Sequence, residues 1–376
     1  MELFPWSSDK RRYFPLLHAM GADLKGFSQL PKGDSAYLMP IIPLARVPNA
    51  KRFQNTLDKV RTGLNGVGEV FIADIGDKIG LELPAVEMEE VHKVFRELSG
   101  AAGGFLAWRQ FIRENPDMIP VLRFGSAADL LAQVEDFADL GRGMVLRIRS
   151  SRHQGVGMTA APAIQYLARR NKLDHLLIVV DLEHIDEPLA PAAMAAGLVR
   201  TLIAAAGNRR VNVAISATSF PLELKGVAEE IIRYPIKERI LHHEFERILG
   251  PGAVNLFYSD YGSARTRADE EKGGKGYPRI DYAARNRWPS NRQKGGLPEA
   301  HGFQAAANKI MATTDWVEEL DIYGANMIRE AADGLLEKRK YAGFWVSARI
   351  NLHLHRQAHY SSTDAEFLGT EGEWED

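Results

Sequence analysis

A chain whose apolar residues arrive in short β-branched and aliphatic runs, each closed by a charged or hydroxyl residue, has few folds open to it. The clearest runs are 176–183 (LLIVVDLE), 144–149 (MVLRIR), 213–219 (VAISATS) and 256–261 (LFYSDY). Near-continuous runs of this kind describe strands buried on both faces, as in parallel sheets covered by helices. A polar residue at the exit of such a strand lies where α/β folds gather their chemistry.

Between these runs the pattern switches to helical spacing. Residues 84–98, 127–140, 160–170, 191–206 and 237–249 read as helices, with Ser126 placed to cap the second. Further strand candidates are 13–17, 38–44, 69–74, 118–124 and 254–258. Strands alternating with helices imply parallel crossovers. About eight strands in a chain of 376 residues point to an α/β, TIM-barrel-like (β/α)8 fold. An open doubly wound sheet satisfies the same periodicity.

After Tyr261 the pattern changes. Residues 265–296 hold two glycine-rich stretches around Arg279, Arg285 and Arg287, and read as an inserted basic β-hairpin flap with mobile tips. Helical patterns follow over 301–322 and 324–340, with Trp316, Val317 and Leu320 as core positions, then a last strand over 343–350. The expectation is one domain over 1–360 and an acidic, disordered tail over 361–376.

Composition excludes more than it identifies. With 47 Lys and Arg against 49 Asp and Glu, the net charge of -2 gives no global pull toward nucleic acid or membrane. The absence of cysteine rules out disulfides and thiolate metal sites, and fits a reducing cytoplasm. No run approaches the ~18 consecutive apolar residues of a membrane span. Gly273-Gly274-Lys275-Gly276 lacks the spacing of a phosphate loop, and no serine nucleophile elbow is present.

The candidate site follows from the strand exits. Asp74, Arg123, Arg147, Arg149, Asp181, Glu183, Ser216, Ser219 and Asp260 all fall at predicted carboxyl ends, where barrel loops build active sites. Arg147 and Arg149 lie two apart on a strand and share a face, offering guanidinium forks to phosphate or carboxylate. Asp181 and Glu183 share a face by the same arithmetic, and with Asp260 are the catalytic candidates, holding Mg²⁺ or Mn²⁺ or moving protons. The same groups can equally pair with one another as a structural ion network. His353 and His355 would point the same way from an extended strand, toward a metal or a phosphate or simply toward solvent. Arg285 and Arg287, with Tyr277, Tyr282 and Trp288 interleaved, make the flap a candidate nucleic-acid or partner surface.

The order of several short motifs resembles the beta protein family of phages and bacteria, often found in settings linked to phage defence. They are Tyr13-Phe14-Pro15-Leu16-Leu17, the acid-ended strand 176–183, Ser219-Phe220-Pro221, and Arg233-Tyr234-Pro235 before a helix. Ser259-Asp260-Tyr261-Gly262, the segment 279–287 and the histidines of 353–359 complete the set. The resemblance spans nearly the whole chain. It implies a phage-related or anti-phage component and supports the architecture more than any reaction. Two functions follow as expectations. One is a phosphate-bearing ligand, nucleotide or nucleic-acid end, bound at the barrel mouth, with metal-assisted phosphoryl or hydrolytic chemistry. The other is a non-catalytic recognition or scaffold subunit that engages protein or nucleic acid through the flap.

Overall fold

A computed structural model describes residue 6 and residues 10–19, 21–64, 70–77, 82–153, 155–221, 230–266, 277–293, 299–335 and 342–361. Parallel strands alternate with helices through the first two thirds of the chain. In order these are α1 (Gly21–Ser28), β1 (Ile41–Leu44), α2 (Phe53–Leu64), β2 (Phe71–Ile75), α3 (Glu90–Leu98), α4 (Ala102–Glu114), β3 (Met118–Pro120), α5 (Ala127–Ala138), β4 (Met144–Arg149), α6 (Val156–Arg169), β5 (Leu176–His184), α7 (Leu189–Ala205) and β6 (Asn212–Thr218). Then follow β7 (Ile232–Pro235), α8 (Lys237–Leu249), β8 (Asn255–Tyr258), β9 (Arg279–Asp281), β10 (Arg287–Arg292), α9 (Glu299–Met311), α10 (Tyr323–Ala332) and α11 (Ala342–Ala358). No helix among the described residues is long and apolar enough to cross a membrane.

β1, β2 and β3 form one parallel sheet, with Ile72 opposite both Ile41 and Ile119. β4, β5, β6 and β8 form a second, also parallel. A single bridge between Val121 and Val145 connects the two sheets at one side. At the other side the extended residues 12–17 run between β8 and β1: Phe14 N–H donates to the Tyr258 carbonyl, Leu16 N–H to that of Asp260, and Leu17 N–H to that of Ile41.

Strand alternation sorts the apolar side chains into two layers. Leu146, Ile178, Val180, Val213 and Ile215 pack outward with Leu130, Val134, Ile164, Leu167, Val199 and Leu202 of the helices. The opposite face gives a cluster containing Phe14, Leu16, Ile41, Ile72, Ile119, Val121, Val145, Leu177, Val179, Ala214 and Phe257, with no α-helical residue in it. The unbroken apolar runs are thus strands covered on both sides, as their composition requires.

Local chemistry explains several boundaries. Ser126 Oγ accepts from Asp129 N–H while the Asp129 carboxylate accepts from Ser126 N–H, closing a reciprocal cap on α5. Gly155, with φ of 69°, turns the chain into α6, and Gly250, with φ of 96°, ends α8.

Two expectations need correction. Residues 343–350 are not a strand: they belong to α11, which is buried through most of its length, and a helix covered on all sides shows no face from which a period can be read. The described part of the basic insertion is no free hairpin either. β10 pairs antiparallel with both β9 and β7, and this three-stranded sheet packs with α9, α10 and α11 around Tyr282, Trp288, Ile310 and Ile328. The flap tips, 267–276 and 294–298, and the tail beyond residue 361 lie outside the described residues.

Candidate functional site at the strand carboxyl ends

One step beyond the inner apolar layer, the inward residues become polar. Asp74 follows Ile72 by two, Arg123 follows Val121, Arg147 follows Val145, Asp181 follows Val179 and Ser216 follows Ala214. Because side chains two apart share a strand face, strands far apart in sequence deliver these groups to one layer.

Arg147 is its centre. Its Nε and Nη2 donate to Asp181 Oδ2 at 2.9 and 2.5 Å, and its Nη1 to Asp74 Oδ2 at 2.9 Å. Arg147 is 5 % exposed and Asp181 fully buried. Burial alone would lower the guanidinium pKa, but Asp181, Tyr261 and Asp74 outweigh it and the net shift is upward. Tyr261 Oη reaches both Asp181 oxygens, at 2.9 and 3.0 Å; burial, followed by the Asp181 charge, raises this phenol well above its ordinary value. Arg123 Nη1 lies 3.1 Å from Asp74 Oδ1. Ser216 Oγ, opposite Asp181 in register, is buried with no hydrogen-bond partner among the described residues.

Above this layer is a more open rim. Arg149 Nη1 donates to both oxygens of Asp77 at 2.7 and 2.6 Å, Arg149 Nη2 to Glu183 at 3.0 Å, and Arg152 Nη1 to Asp77 at 2.6 Å. Burial tends to raise the Asp77 pKa, but the hydrogen bond and charge of Arg149 override it and lower the net value. His153 Nδ1 accepts from Arg149 N–H at 2.9 Å, and its ring stacks on Phe124 at 3.9 Å. Burial, then Arg149, pushes His153 down to about 4, so it is neutral at pH 7. Glu183 has φ of 59° beside a register shift in β5, and a non-glycine residue held there stores strain of ~1–3 kcal/mol. That kink separates the two acids: Asp181 stays below with Arg147, Glu183 rises to Arg149.

Asp260 belongs to a neighbouring cluster. Its carboxylate accepts from Tyr13 Oη at 2.5 Å and Gly262 N–H at 2.8 Å, and lies 2.7 Å from His353 Nε2. Burial would raise its pKa, but His353 and Tyr13 bring it below the usual carboxylate range. The backbone joins the two clusters, since Tyr261, which holds Asp181, is the next residue.

The remaining candidates lie apart from this layer. Ser219 donates through Oγ and N–H to Glu238, both at 2.6 Å, and so ties the end of β6 to the first turn of α8. Arg285 Nη2 donates to the Tyr360 carbonyl at 2.6 Å, while Arg287 and Arg233 share Asp315 at 2.5 and 2.8 Å. His353 and His355, expected on one strand face, sit instead on a helix, where a separation of two turns them away from each other. His353 meets Asp260 and His355 meets Asp34.

Sequence reasoning singled out Asp74, Arg123, Arg147, Arg149, Asp181 and Glu183, and the structure brings them together. It missed Tyr261, Asp77 and Arg152 as partners. For Tyr261 the signal was present: it lies four residues beyond Phe257 on the same alternation.

A family model described as Beta protein matches residues 13–359. Protein beta of Enterobacteria phage P4 is 26 % identical over 358 residues, covering 93 % of each chain.

Proposed function

The chain belongs to the Beta protein family, and on that footing we propose that its parallel segments close into an eight-membered (β/α) barrel whose carboxyl-end mouth binds a phosphate-bearing ligand in a phage-related setting. Closure is supported by the bridges that place residues 12–17 between β8 and β1, and β3 beside β4. It is supported further by the apolar cluster without α-helical residues, which draws on residues 12–17 and on β1, β2, β3, β4, β5, β6 and β8. Barrels are filled by such layers.

The observation that carries the ligand reading is Asp77. Its carboxylate lies across Arg149 and Arg152, the geometry in which a phosphate would be held by the same two forks. Asp77 is 37 % exposed by side chain and stands on the short described stretch after β2. At the mouth, the four guanidinium groups of Arg123, Arg147, Arg149 and Arg152 face the four carboxylates of Asp74, Asp77, Asp181 and Glu183. An anion therefore binds by exchange with Asp77, leaving the buried Arg147 pairs intact. Ser216 Oγ, Arg123 Nε and Arg149 Nε retain donor capacity for it. The acids Asp181, Glu183 and Asp260 already accept hydrogen bonds from separate partners, so the reading favours binding over metal-assisted phosphoryl transfer. Arg279, Arg285 and Arg287 of the flap make contacts within the chain, which weighs against a partner surface built on them.

Calorimetry with pyrophosphate and with a 5′-phosphorylated nucleotide tests the reading. Asp77→Asn should tighten binding several-fold, and Arg149→Ala with Arg152→Ala should weaken it about tenfold or more, as expected for loss of charge-assisted hydrogen bonds. Equal affinity in all three proteins would remove the mouth as the ligand site.

A further inference from the structure

The turn of residues 32–36 and the C-terminal end of α11 meet at Asp34, His355 and His359, segments more than 300 residues apart in the chain. Asp34 Oδ2 lies 2.8 Å from His355 Nδ1, and Asp34 Oδ1 lies 2.9 Å from His359 Nε2. One ligand atom from each residue falls within 4.8 Å of the others. Asp34 and His355 are buried, and the His359 side chain is 10 % exposed.

We propose that Asp34, His355 and His359 form a binding site for a divalent first-row transition ion, zinc foremost. His355 lies in the last turn of α11 and His359 in the turn just past its end, where its N–H still donates to the His355 carbonyl, so the two keep the helical spacing of four that presents two imidazoles to one ion. Two imidazole nitrogens and one carboxylate oxygen form the donor set of open zinc and non-haem iron sites. Magnesium and calcium prefer all-oxygen shells and are disfavoured here. With metal to nitrogen bonds of ~2.0–2.1 Å, neighbouring donors on one ion lie roughly 3.0–3.4 Å apart. The two carboxylate to imidazole gaps run to different oxygens of Asp34, so with the carboxylate chelating each needs to open by only a few tenths of an ångström. The Tyr37 ring packs against His359 at 4.5 Å between centroids, restricting its rotation. Three protein ligands leave positions for water or an exogenous ligand, and His359 is the most exposed of the three.

The full chain, stripped with chelator and dialysed, would be titrated with Zn²⁺ by calorimetry and with Co²⁺ by visible absorption. The expected result is one tight equivalent of Zn²⁺ and a Co²⁺ spectrum of nitrogen and oxygen ligation. His359→Ala, at the more open position, and Asp34→Asn, which preserves shape, should each lose about a hundredfold in affinity or more while keeping the parent far-UV circular dichroism. His243→Ala, on the exposed face of α8, should bind as the parent does. Absence of tight uptake by the parent chain, or undiminished uptake in both His359→Ala and Asp34→Asn, would overturn the site and leave a hydrogen-bonded triad only.

Discussion

At the scale of single residues, the buried charges follow one rule: each is fixed by specific partners rather than by bulk polarity. Arg147 illustrates the cost structure, since removing one member of a buried pair leaves the others uncompensated at ~3–5 kcal/mol. Glu238 is the exception in sign. Burial pushes its carboxyl up to about 7 from an ordinary 4.5, with the Ser219 hydrogen bond opposing the shift. Between those values the folded chain holds a proton that the unfolded chain has released. Its contribution to stability is therefore present below the unfolded value and lost as pH rises through the folded one. Glu238→Gln should be as stable as the parent near pH 5 and gain on the order of 1–3 kcal/mol at pH 8, by the free energy of a shift of this size. Urea denaturation at both pH values measures it, and parallel curves for the two proteins would refute the assignment. Neither Glu238 nor Asp34 stood out in the sequence. One lies in a charged helical first turn and the other in a short polar turn, where composition alone looks solvated.

At the scale of elements, legibility tracked how a segment is buried. β4, β5 and β6 were readable because two-sided burial demands unbroken apolar runs, and α8 because its apolar face is one-sided. α2 was missed although Phe53, Leu57, Val60 and Leu64 carry the helical period. α11 was misread because 351–355 alternates polar and apolar side chains as a strand does. The polar members are instead committed one by one: Arg349 to Asp281, Asn351 to Gly26 and Gly324, and Arg356 to Tyr282. Close approach of α11 to α10 requires glycine. A Cβ at Gly324 would land on the Ala348 carbonyl oxygen and 2.7 Å from Leu352 Cγ. Gly324→Ala should therefore cost about 1–3 kcal/mol through overpacking. Gly197→Ala, on the exposed face of α7 with nothing within 4 Å, should gain about 0.5–1 kcal/mol of helix propensity. Thermal melts of the two variants should shift in opposite directions.

At the scale of the whole molecule, α11 belongs to two cores at once. Ile350 and Leu354 join the cluster between strands and helices, while Trp345, Ala348 and Leu352 join the one beneath the antiparallel sheet. Such sharing couples the two parts, and a single cooperative transition is expected. Tryptophan fluorescence, reporting Trp288 and Trp345 on one side and Trp108 on the other, should coincide with far-UV circular dichroism through a urea titration. Two separated midpoints would show that the helix does not bind the parts into one unit.

The hydrogen bonds of residues 12–17 to Tyr258 and Asp260 carry a consequence for biosynthesis. The first strand-like segment leaves the ribosome nearly 250 residues before its second neighbour exists, and α11 emerges later still. Until then the nascent chain presents Tyr13, Phe14 and Leu16 without the surface that finally covers them. Pairings so distant in sequence slow folding and expose intermediates to aggregation. Completion must therefore wait for residues 258–260 and for α11, and truncation ahead of residue 342 removes the helix that both cores share.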